Sequence, residues 1–172
     1  MTRAVFLDRD GTVNEEVGYL GHPERLRLLP GVPAALAALQ AAGWQLVIVS
    51  NQSGVGRGLF TAEAVEAVDA RLRALLAATG VRLAASYYCP HAPWESCTCR
   101  KPAPGLLLRA AADLGIDLTR SYMVGDHPHD VAAGRAAGCR TILLGAAADP
   151  AADVVLPDLP TAAAWILHHD AD

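Results

Sequence analysis

Short apolar runs alternate along the chain with longer segments whose apolar residues recur at helical spacing. The runs predict buried strands at residues 4–7 and 46–49, further strands at residues 85–88 and 122–124, and edge strands at residues 141–144 and 154–156. Helices are expected at residues 31–42, 105–114, 131–137 and 161–168, and another begins after Thr61, a good N-terminal cap. This alternation predicts an α/β fold, a three-layer αβα sandwich around a mostly parallel sheet.

The length of the chain predicts one domain over residues 1–172, because typical domains have about 100–200 residues. No repeat or linker interrupts the pattern. We expect small loops in place of a large cap domain, since no stretch between the predicted elements is long enough for one.

Composition and charge exclude several classes of protein. The chain is 52% hydrophobic, which argues against disorder. Its net charge of −4 argues against a nucleic-acid binder, which typically carries an excess of basic residues. No apolar run approaches the ~20 residues that span a bilayer, and the N-terminus does not resemble a signal peptide. We therefore expect a cytoplasmic monomer without nucleic-acid or membrane partners.

Polar residues follow the predicted strands where each strand ends. Asp8 and Asp10 follow the first strand, Ser50 the second, and Asp126 the fourth, while Lys101 closes the segment after the third. Carboxyl ends of parallel strands share one edge of the sheet, so these side chains should converge. Carboxylates suit Mg²⁺, whereas a hydroxyl and an ammonium suit the oxygens of a transferring phosphoryl group. Taken alone, the two aspartates could also be a polar loop that caps the strand.

The basic residues include a single lysine. Lys101 is the only lysine among the 14 lysine and arginine residues. Ammonium and guanidinium groups are not chemically interchangeable, so a lone lysine fits a specific task.

A cluster of cysteines and a histidine follows the third strand. Its members are Cys89, His91, Cys97 and Cys99, and they predict a zinc-binding loop at about residues 89–101. One histidine and three cysteines complete a tetrahedral site, so the zinc should be structural. Cys139 stands apart and is expected to be buried.

Four motifs of this chain match those of the haloacid dehalogenase-like phosphohydrolases in order and spacing. They are residues 8–13 (DRDGTV), residues 50–52 (SNQ), Lys101-Pro102, and Gly125-Asp126 with Asp130. Within that superfamily, Gly18-Tyr19, residues 51–58, Cys89-Pro90-His91 and residues 97–102 resemble the D-glycero-D-manno-heptose-1,7-bisphosphate 7-phosphatases. The histidinol-phosphatase domain is similar and shares the zinc loop. His127 departs from the pattern, because related heptose phosphatases commonly carry lysine there.

The resemblance implies roles for the reacting groups. Asp8 would be the nucleophile that forms an aspartyl-phosphate, and Asp10 the general acid and base. Mg²⁺ would be held by Asp8, by the Asp10 backbone carbonyl and by Asp126, with Asp130 supporting the metal site. Ser50 and Lys101 would hold the phosphoryl oxygens.

The resemblance also implies a substrate. Asn51, Arg57 and Arg100 would contact a small sugar phosphate, and the expected reaction is removal of the 7-phosphate of a heptose bisphosphate. A histidinol-phosphate phosphatase or a broader sugar-phosphate phosphatase is the alternative of the same class. A non-catalytic, zinc-stapled binding module is the alternative of a different class.

Overall fold

A computed structural model describes residues 1–170, and its centre is a six-stranded sheet. The strands are β1 (Ala4–Leu7), β2 (Gln45–Asn51), β3 (Ala85–Cys89), β4 (Tyr122–Gly125), β5 (Arg140–Leu144) and β6 (Val154–Leu156). They lie in the order β3-β2-β1-β4-β5-β6, and every neighbouring pair is parallel. The middle residues of the central strands are apolar because helices cover both faces of the sheet.

Five helices form the outer layers. They are α1 (Val32–Ala41), α2 (Ala62–Ala77), α3 (Gly105–Leu114), α4 (Pro128–Ala137) and α5 (Leu159–His169). Alternate residues of one strand point to opposite faces: Val5 and Leu7 pack with α1, α2 and α5, whereas Ala4 and Phe6 pack with α3 and α4. These two apolar clusters confirm the predicted three-layer sandwich.

Three details of the sequence prediction were wrong. Only β6 of the last two strands is an edge strand, because β5 pairs with β4 on one side and with β6 on the other. Helix α4 begins at Pro128 and not at residue 131, since His127 caps its N-terminus. Helix α5 begins at Leu159 and not at residue 161, since the Asp158 side chain caps it. Both of these helices carry a proline in the first turn, where its missing N–H costs nothing.

The strand order reverses between β1 and β4, which are direct neighbours at the centre of the sheet. In open α/β sheets such a reversal opens a crevice beyond the carboxyl ends of the two strands. Asp8 and Asp10 follow β1 and Asp126 follows β4, so the chain places its acidic residues at this crevice. Strand β2 delivers Ser50 and Asn51 to the same edge. Among residues 1–170, no helix is long and apolar enough to cross a membrane.

Candidate active site and zinc loop

The lone lysine lies at the centre of the crevice. Lys101 is buried, and its Nζ donates to Asp8 Oδ1 at 2.8 Å, to the Val49 carbonyl at 2.7 Å and to Asp130 Oδ1 at 2.6 Å. Burial alone would lower the pKa of Lys101, but the carboxylates of Asp8 and Asp130 outweigh burial and raise it. The ammonium is therefore held protonated beside Asp8.

Three carboxylates form an acidic cluster next to this lysine. One oxygen each from Asp8, Asp126 and Asp130 lies within 4.8 Å of the others. Burial and the neighbouring charges of Asp8 and Asp130 raise the pKa of Asp126 to about 7. Burial also raises the pKa of Asp130 to about 6, against the opposing effect of Lys101. Such repulsion is relieved when a cation binds between the carboxylates.

Two glycines let the cluster assemble. A Cβ atom on Gly11 would overlap the Asp126 carboxylate, and a Cβ atom on Gly125 would overlap the Asp130 carboxylate. Gly11 also adopts a φ of +81°, a conformation that favours glycine. The loop after β1 and the end of β4 can therefore approach these carboxylates only without side chains.

The carboxylate of Asp10 faces a different set of groups. Its Oδ1 accepts hydrogen bonds from Asn14 Nδ2 at 2.9 Å and from Arg9 Nη2 at 3.1 Å. Its Oδ2 accepts one from Gln52 Nε2 at 3.1 Å. Arg9 is fully buried, and although desolvation opposes it, the Asp10 charge raises the pKa of Arg9. The Asp10 carboxylate thus lies at the same site as the acidic cluster but makes hydrogen bonds to a different set of residues.

Sequence reasoning gave no role to the three donors around Asp10. Gln52 was noted only as part of a motif, and Arg9 and Asn14 were not singled out. One signal was available for Gln52: it lies two residues after Ser50, so on extended chain the two side chains lie on one side.

All the predicted phosphoryl-binding and substrate residues except Arg57 border an open cleft of about 440 Å³. Its lining includes both sequence-predicted aspartates after β1, together with Ser50, Asn51, Arg100, Lys101 and Asp126. Arg100 is half-buried and also donates to the His91 carbonyl at 3.3 Å. Glu16, Tyr19 and Ser53 line the cleft as well and were not predicted as site residues.

Arg57 lies at the rim and does not line the cleft. Its guanidinium stacks between two exposed aromatic rings, 5.6 Å from the Tyr19 centroid and 5.2 Å from the Trp94 centroid. Tyr19 has a φ of +51°, which is rare for a bulky side chain. The loop after β1 and the zinc loop therefore both contact Arg57.

His127 occupies the position where related phosphatases commonly carry lysine, and it caps helix α4. Its Nδ1 accepts the His129 N–H at 3.1 Å, while Asp130 Oδ2 accepts the His127 N–H at 3.1 Å. This reciprocal pair is a capping box, a motif that satisfies the first free N–H groups of a helix. Both histidines also line the cleft.

The four predicted zinc ligands come together after β3. The Sγ of Cys89 lies 3.8 Å from that of Cys97, and His91 Nδ1 lies 3.4 Å from Cys89 Sγ and 3.2 Å from Cys99 Sγ. A tetrahedral zinc with sulfur ligands at ~2.3 Å places ligand atoms ~3.8 Å apart, which the Cys89–Cys97 separation matches. The Sγ atoms of Cys89 and Cys99 lie 2.9 Å apart and would have to move apart to bind the same ion.

The electrostatics of this cluster also suit a metal. Burial raises the pKa of the Cys89 thiol. Desolvation would also raise the pKa of the Cys97 thiol, but hydrogen bonds from the backbone N–H groups of Arg100 and Cys99 lower it to about 7. The cluster thus offers one thiol close to ionisation at neutral pH, and Zn²⁺ would stabilise the thiolate form of all three. Cys139 is buried, as predicted.

Known proteins resemble this chain over nearly its whole length. A D-glycero-beta-D-manno-heptose-1,7-bisphosphate 7-phosphatase from Yersinia pestis is 42% identical, over 98% of this chain and 92% of the relative. A D-glycero-D-manno-heptose-1,7-bisphosphate 7-phosphatase from Thermosynechococcus vestitus is 41% identical, over 96% of both chains. The chain belongs to this phosphatase family.

A family model and a solved structure agree with this assignment. A model described as HAD-hydrolase-like matches residues 98–167. The crystal structure of a D,D-heptose 1,7-bisphosphate phosphatase from B. bronchiseptica, complexed with magnesium and phosphate, covers 98% of this chain. Its TM-score is 0.89 at 33% identity, and 99% of that protein is covered. This member of the heptose-bisphosphate 7-phosphatase family is therefore a phosphoric monoester hydrolase with the fold of its relatives.

Proposed function

We propose that the protein removes the 7-phosphate of D-glycero-D-manno-heptose 1,7-bisphosphate by way of a phosphorylated Asp8. The observation that carries this proposal is the contact of 2.8 Å between Asp8 and the buried Lys101 ammonium, at the edge of the sheet where acidic loops converge. The family relationship supplies the substrate. An oxygen nucleophile beside a fixed positive charge is what an incoming phosphoryl group requires.

The reaction divides into two displacements at phosphorus. A carboxylate oxygen of Asp8 attacks the phosphorus, and the bond to the sugar oxygen breaks as Asp10 gives that oxygen a proton. Asp10, now ionised, then takes a proton from water, and the resulting hydroxide attacks the phosphorus and releases Asp8 and inorganic phosphate. Ser50 and Lys101 hold the phosphoryl oxygens during both displacements.

A magnesium ion fits the acidic cluster. The pKa values of Asp126 and Asp130 are raised first by burial and then by the charge of neighbouring carboxylates, and a divalent cation offsets both effects. Asp8 and Asp126, with the backbone carbonyl of Asp10, would hold the ion, and Asp130 would support them through its contact with Lys101. When bound, Mg²⁺ supplies positive charge that neutralises phosphoryl oxygens.

Zinc has a different task in this proposal. Cys89, His91, Cys97 and Cys99 would fill all four positions around the ion, so no position remains for a substrate. The loop that they close leads directly into Arg100 and Lys101. Zinc would therefore fix the course of the chain that delivers these two cations to the cleft.

Substrate comparison and a nucleophile variant test the proposal. The value of kcat/KM is measured for both anomers of the heptose bisphosphate, for fructose 1,6-bisphosphate and for histidinol phosphate. We expect the highest value for a heptose bisphosphate, and both anomers are tested because the Yersinia pestis relative is named for the β anomer and the Thermosynechococcus vestitus relative for neither. Preference for histidinol phosphate would contradict the substrate assignment while leaving the reaction intact.

The covalent step has its own test. Asp8→Asn should abolish turnover without unfolding the protein, because an amide does not attack phosphorus. Asp10→Asn should reduce turnover roughly 10²–10⁴-fold, the usual contribution of a general acid. Wild-type turnover in Asp8→Asn would rule out the phosphorylated Asp8.

A further inference from the structure

The amide of Gln52 joins the proposed acid and base to a proposed phosphoryl-binding residue. Gln52 is only 4% exposed, and its Nε2 lies 3.1 Å from Asp10 Oδ2 and 3.0 Å from Ser50 Oγ. One buried NH₂ group thus contacts both functional oxygens. Buried polar groups are costly unless they are hydrogen-bonded, so the side chain is confined to this arrangement.

The two oxygens of Asp10 receive unequal numbers of hydrogen bonds. Oδ1 accepts from Asn14 Nδ2 and from both Nε and Nη2 of Arg9, at 2.9, 3.2 and 3.1 Å. Oδ2 accepts from Gln52 at 3.1 Å and from Arg9 Nη2 only at 3.3 Å. Oδ2 is therefore the less constrained of the two oxygens, and Gln52 is the nearer of its two donors.

Gln52 differs chemically from Arg9, the other donor to Oδ2. A guanidinium has no acceptor, whereas the glutamine amide carries both a donor and an acceptor. The N–H group suits the ionised carboxylate, and a half-turn of the amide would present Oε1 to the protonated form. Gln52 can therefore stay hydrogen-bonded to Oδ2 in both protonation states that the two displacements require.

We propose that Gln52 is a positioning residue that aims Asp10 Oδ2 at the leaving oxygen and fixes it relative to Ser50. The proposal rests on the function proposed above, in which Asp10 is the general acid. It assigns to Gln52 no contact with the substrate. Its consequence is that loss of the amide slows reactions that need proton transfer from Asp10 more than reactions that do not.

Two substrates with different leaving groups separate proton transfer from the rest of catalysis. A sugar alkoxide must be protonated as it leaves, whereas p-nitrophenolate leaves without a proton. The measured quantity is the single-turnover rate of the first displacement, with enzyme in excess, for heptose bisphosphate and for p-nitrophenyl phosphate. Asp10→Asn provides the reference, and Gln52→Leu and Gln52→Met are the test variants.

We expect both Gln52 variants to release the sugar about 10–100-fold more slowly, a part of the contribution of a general acid. Release of p-nitrophenolate should slow much less, because this leaving group needs no proton, and Asp10→Asn should show the same difference between the two substrates. Gln40→Leu is the matched control, because Gln40 also hydrogen-bonds through its amide but contacts Gly80 and Arg82, outside the residues that line the cleft. Thermal unfolding of each variant shows that the rates compare folded proteins. Gln52→Met is included because methionine is unbranched and as long as glutamine, whereas leucine is branched.

Each remaining outcome has a definite meaning. Equal losses on both substrates would show a merely structural role and overturn the proposal. Unchanged rates in the Gln52 variants, with a selective loss in Asp10→Asn, would overturn the proposal and leave the function of Asp10 standing. A loss in Asp10→Asn that is the same for both substrates would remove the general acid itself, and the role of Gln52 with it.

Discussion

The side-chain amide of Asn51 makes two hydrogen bonds to the backbone of Lys101. Its Oδ1 accepts the Lys101 N–H at 2.9 Å, and its Nδ2 donates to the Lys101 carbonyl at 3.0 Å. The end of strand β2 is thereby tied to the chain that leaves the zinc loop, 50 residues later. Both polar ends of the Asn51 side chain are engaged within the protein, although the family resemblance associates this residue with the substrate.

Removal of these two hydrogen bonds should impair the function of Lys101 although Lys101 itself is unchanged. Asn51→Leu deletes two hydrogen bonds, each worth about 0.5–1.5 kcal/mol, and we expect kcat to fall about tenfold. The double variant with Lys101→Ala should be no slower than Lys101→Ala alone, because coupled residues are not additive. Steady-state kinetics of the three variants provides the measurement. A raised KM for the bisphosphate with an unchanged kcat would place Asn51 on the substrate.

Lys101 itself should not be replaceable by arginine. Its Nζ has acceptors at 2.6, 2.7 and 2.8 Å in a position that is 2% exposed, so there is no room for a planar guanidinium. Lys101→Ala should lower kcat roughly 10²–10³-fold, as loss of one preorganised donor does. Lys101→Arg should recover little of this loss. Wild-type kcat in the arginine variant would show that charge alone matters.

The acidic cluster should destabilise the fold when no metal is present. The pKa of Asp126 is raised to about 7 in the folded protein, above its unfolded value near 4. The ionised carboxylate therefore costs stability fully above pH 7, and the cost fades as the pH falls from 7 towards 4. In EDTA at pH 8, Asp126→Asn should raise the free energy of unfolding by about 1 kcal/mol after allowance for solvent screening, or Tm by about 2–4 °C.

With Mg²⁺ in place of EDTA, the wild type should become more stable than Asp126→Asn. The ion would stabilise the wild type through its binding, and Asp126→Asn would gain less. Differential scanning at pH 8 and pH 5, with EDTA and with Mg²⁺, gives the four comparisons. Equal Tm values for the two proteins in EDTA at pH 8 would contradict the electrostatic repulsion among the carboxylates.

The fold was largely predictable because the apolar runs that form β1, β2 and β4 are buried on both faces, which leaves no polar position to obscure them. The edge position of β6 was predictable for the converse reason, since it is short and half-buried. The interior position of β5 was not, because strand order depends on long-range pairing that its own residues do not encode. The starts of α4 and α5 were missed because His127 and Asp158 cap them before the apolar pattern begins.

The candidate site shows the same division. The sequence predicted that Asp8, Lys101 and Asp126 would meet, because each follows a strand and carries a group suited to phosphate or metal. It did not reveal that Asp10 turns away from the acidic cluster towards Arg9, Asn14 and Gln52, since side-chain direction after a strand ends is set by tertiary contacts. Nor did it reveal that Arg57 lies at the rim between two aromatic rings.

The rim arginine should affect large substrates selectively. Arg57→Ala removes a cation held over Tyr19 and Trp94, and remote contacts of this kind help to orient the reacting phosphate. We expect kcat/KM to fall much more for the heptose bisphosphate than for p-nitrophenyl phosphate. Trp94→Ala should give a smaller loss, since an exposed cation–π contact is worth about 0.5–1 kcal/mol, and Trp94→Phe should restore part of it. Equal losses of kcat/KM on both substrates would remove Arg57 from substrate selection.

The two proposed metals should differ in how readily EDTA removes them from the protein. Thiolate-rich zinc sites are worth about 10–16 kcal/mol in small peptides, whereas Mg²⁺ on oxygen ligands exchanges readily. Mild EDTA should therefore abolish activity, and Mg²⁺ alone should restore it while one zinc per chain stays bound. Elemental analysis before and after dialysis, paired with activity assays, provides the comparison.

Loss of zinc should lower activity indirectly, through the loop that carries Arg100 and Lys101 to the cleft. Cys97→Ala removes one of the four clustered ligands, none of which belongs to the acidic cluster at Asp8, Asp126 and Asp130. Without zinc, the loop no longer fixes Arg100 and Lys101, so kcat should fall and added Mg²⁺ should not restore it. Cys139→Ala is the matched control, because this buried cysteine lies outside both clusters and its loss should leave zinc content and the response to Mg²⁺ unchanged. Full activity in a zinc-free wild type would refute the structural role of the ion.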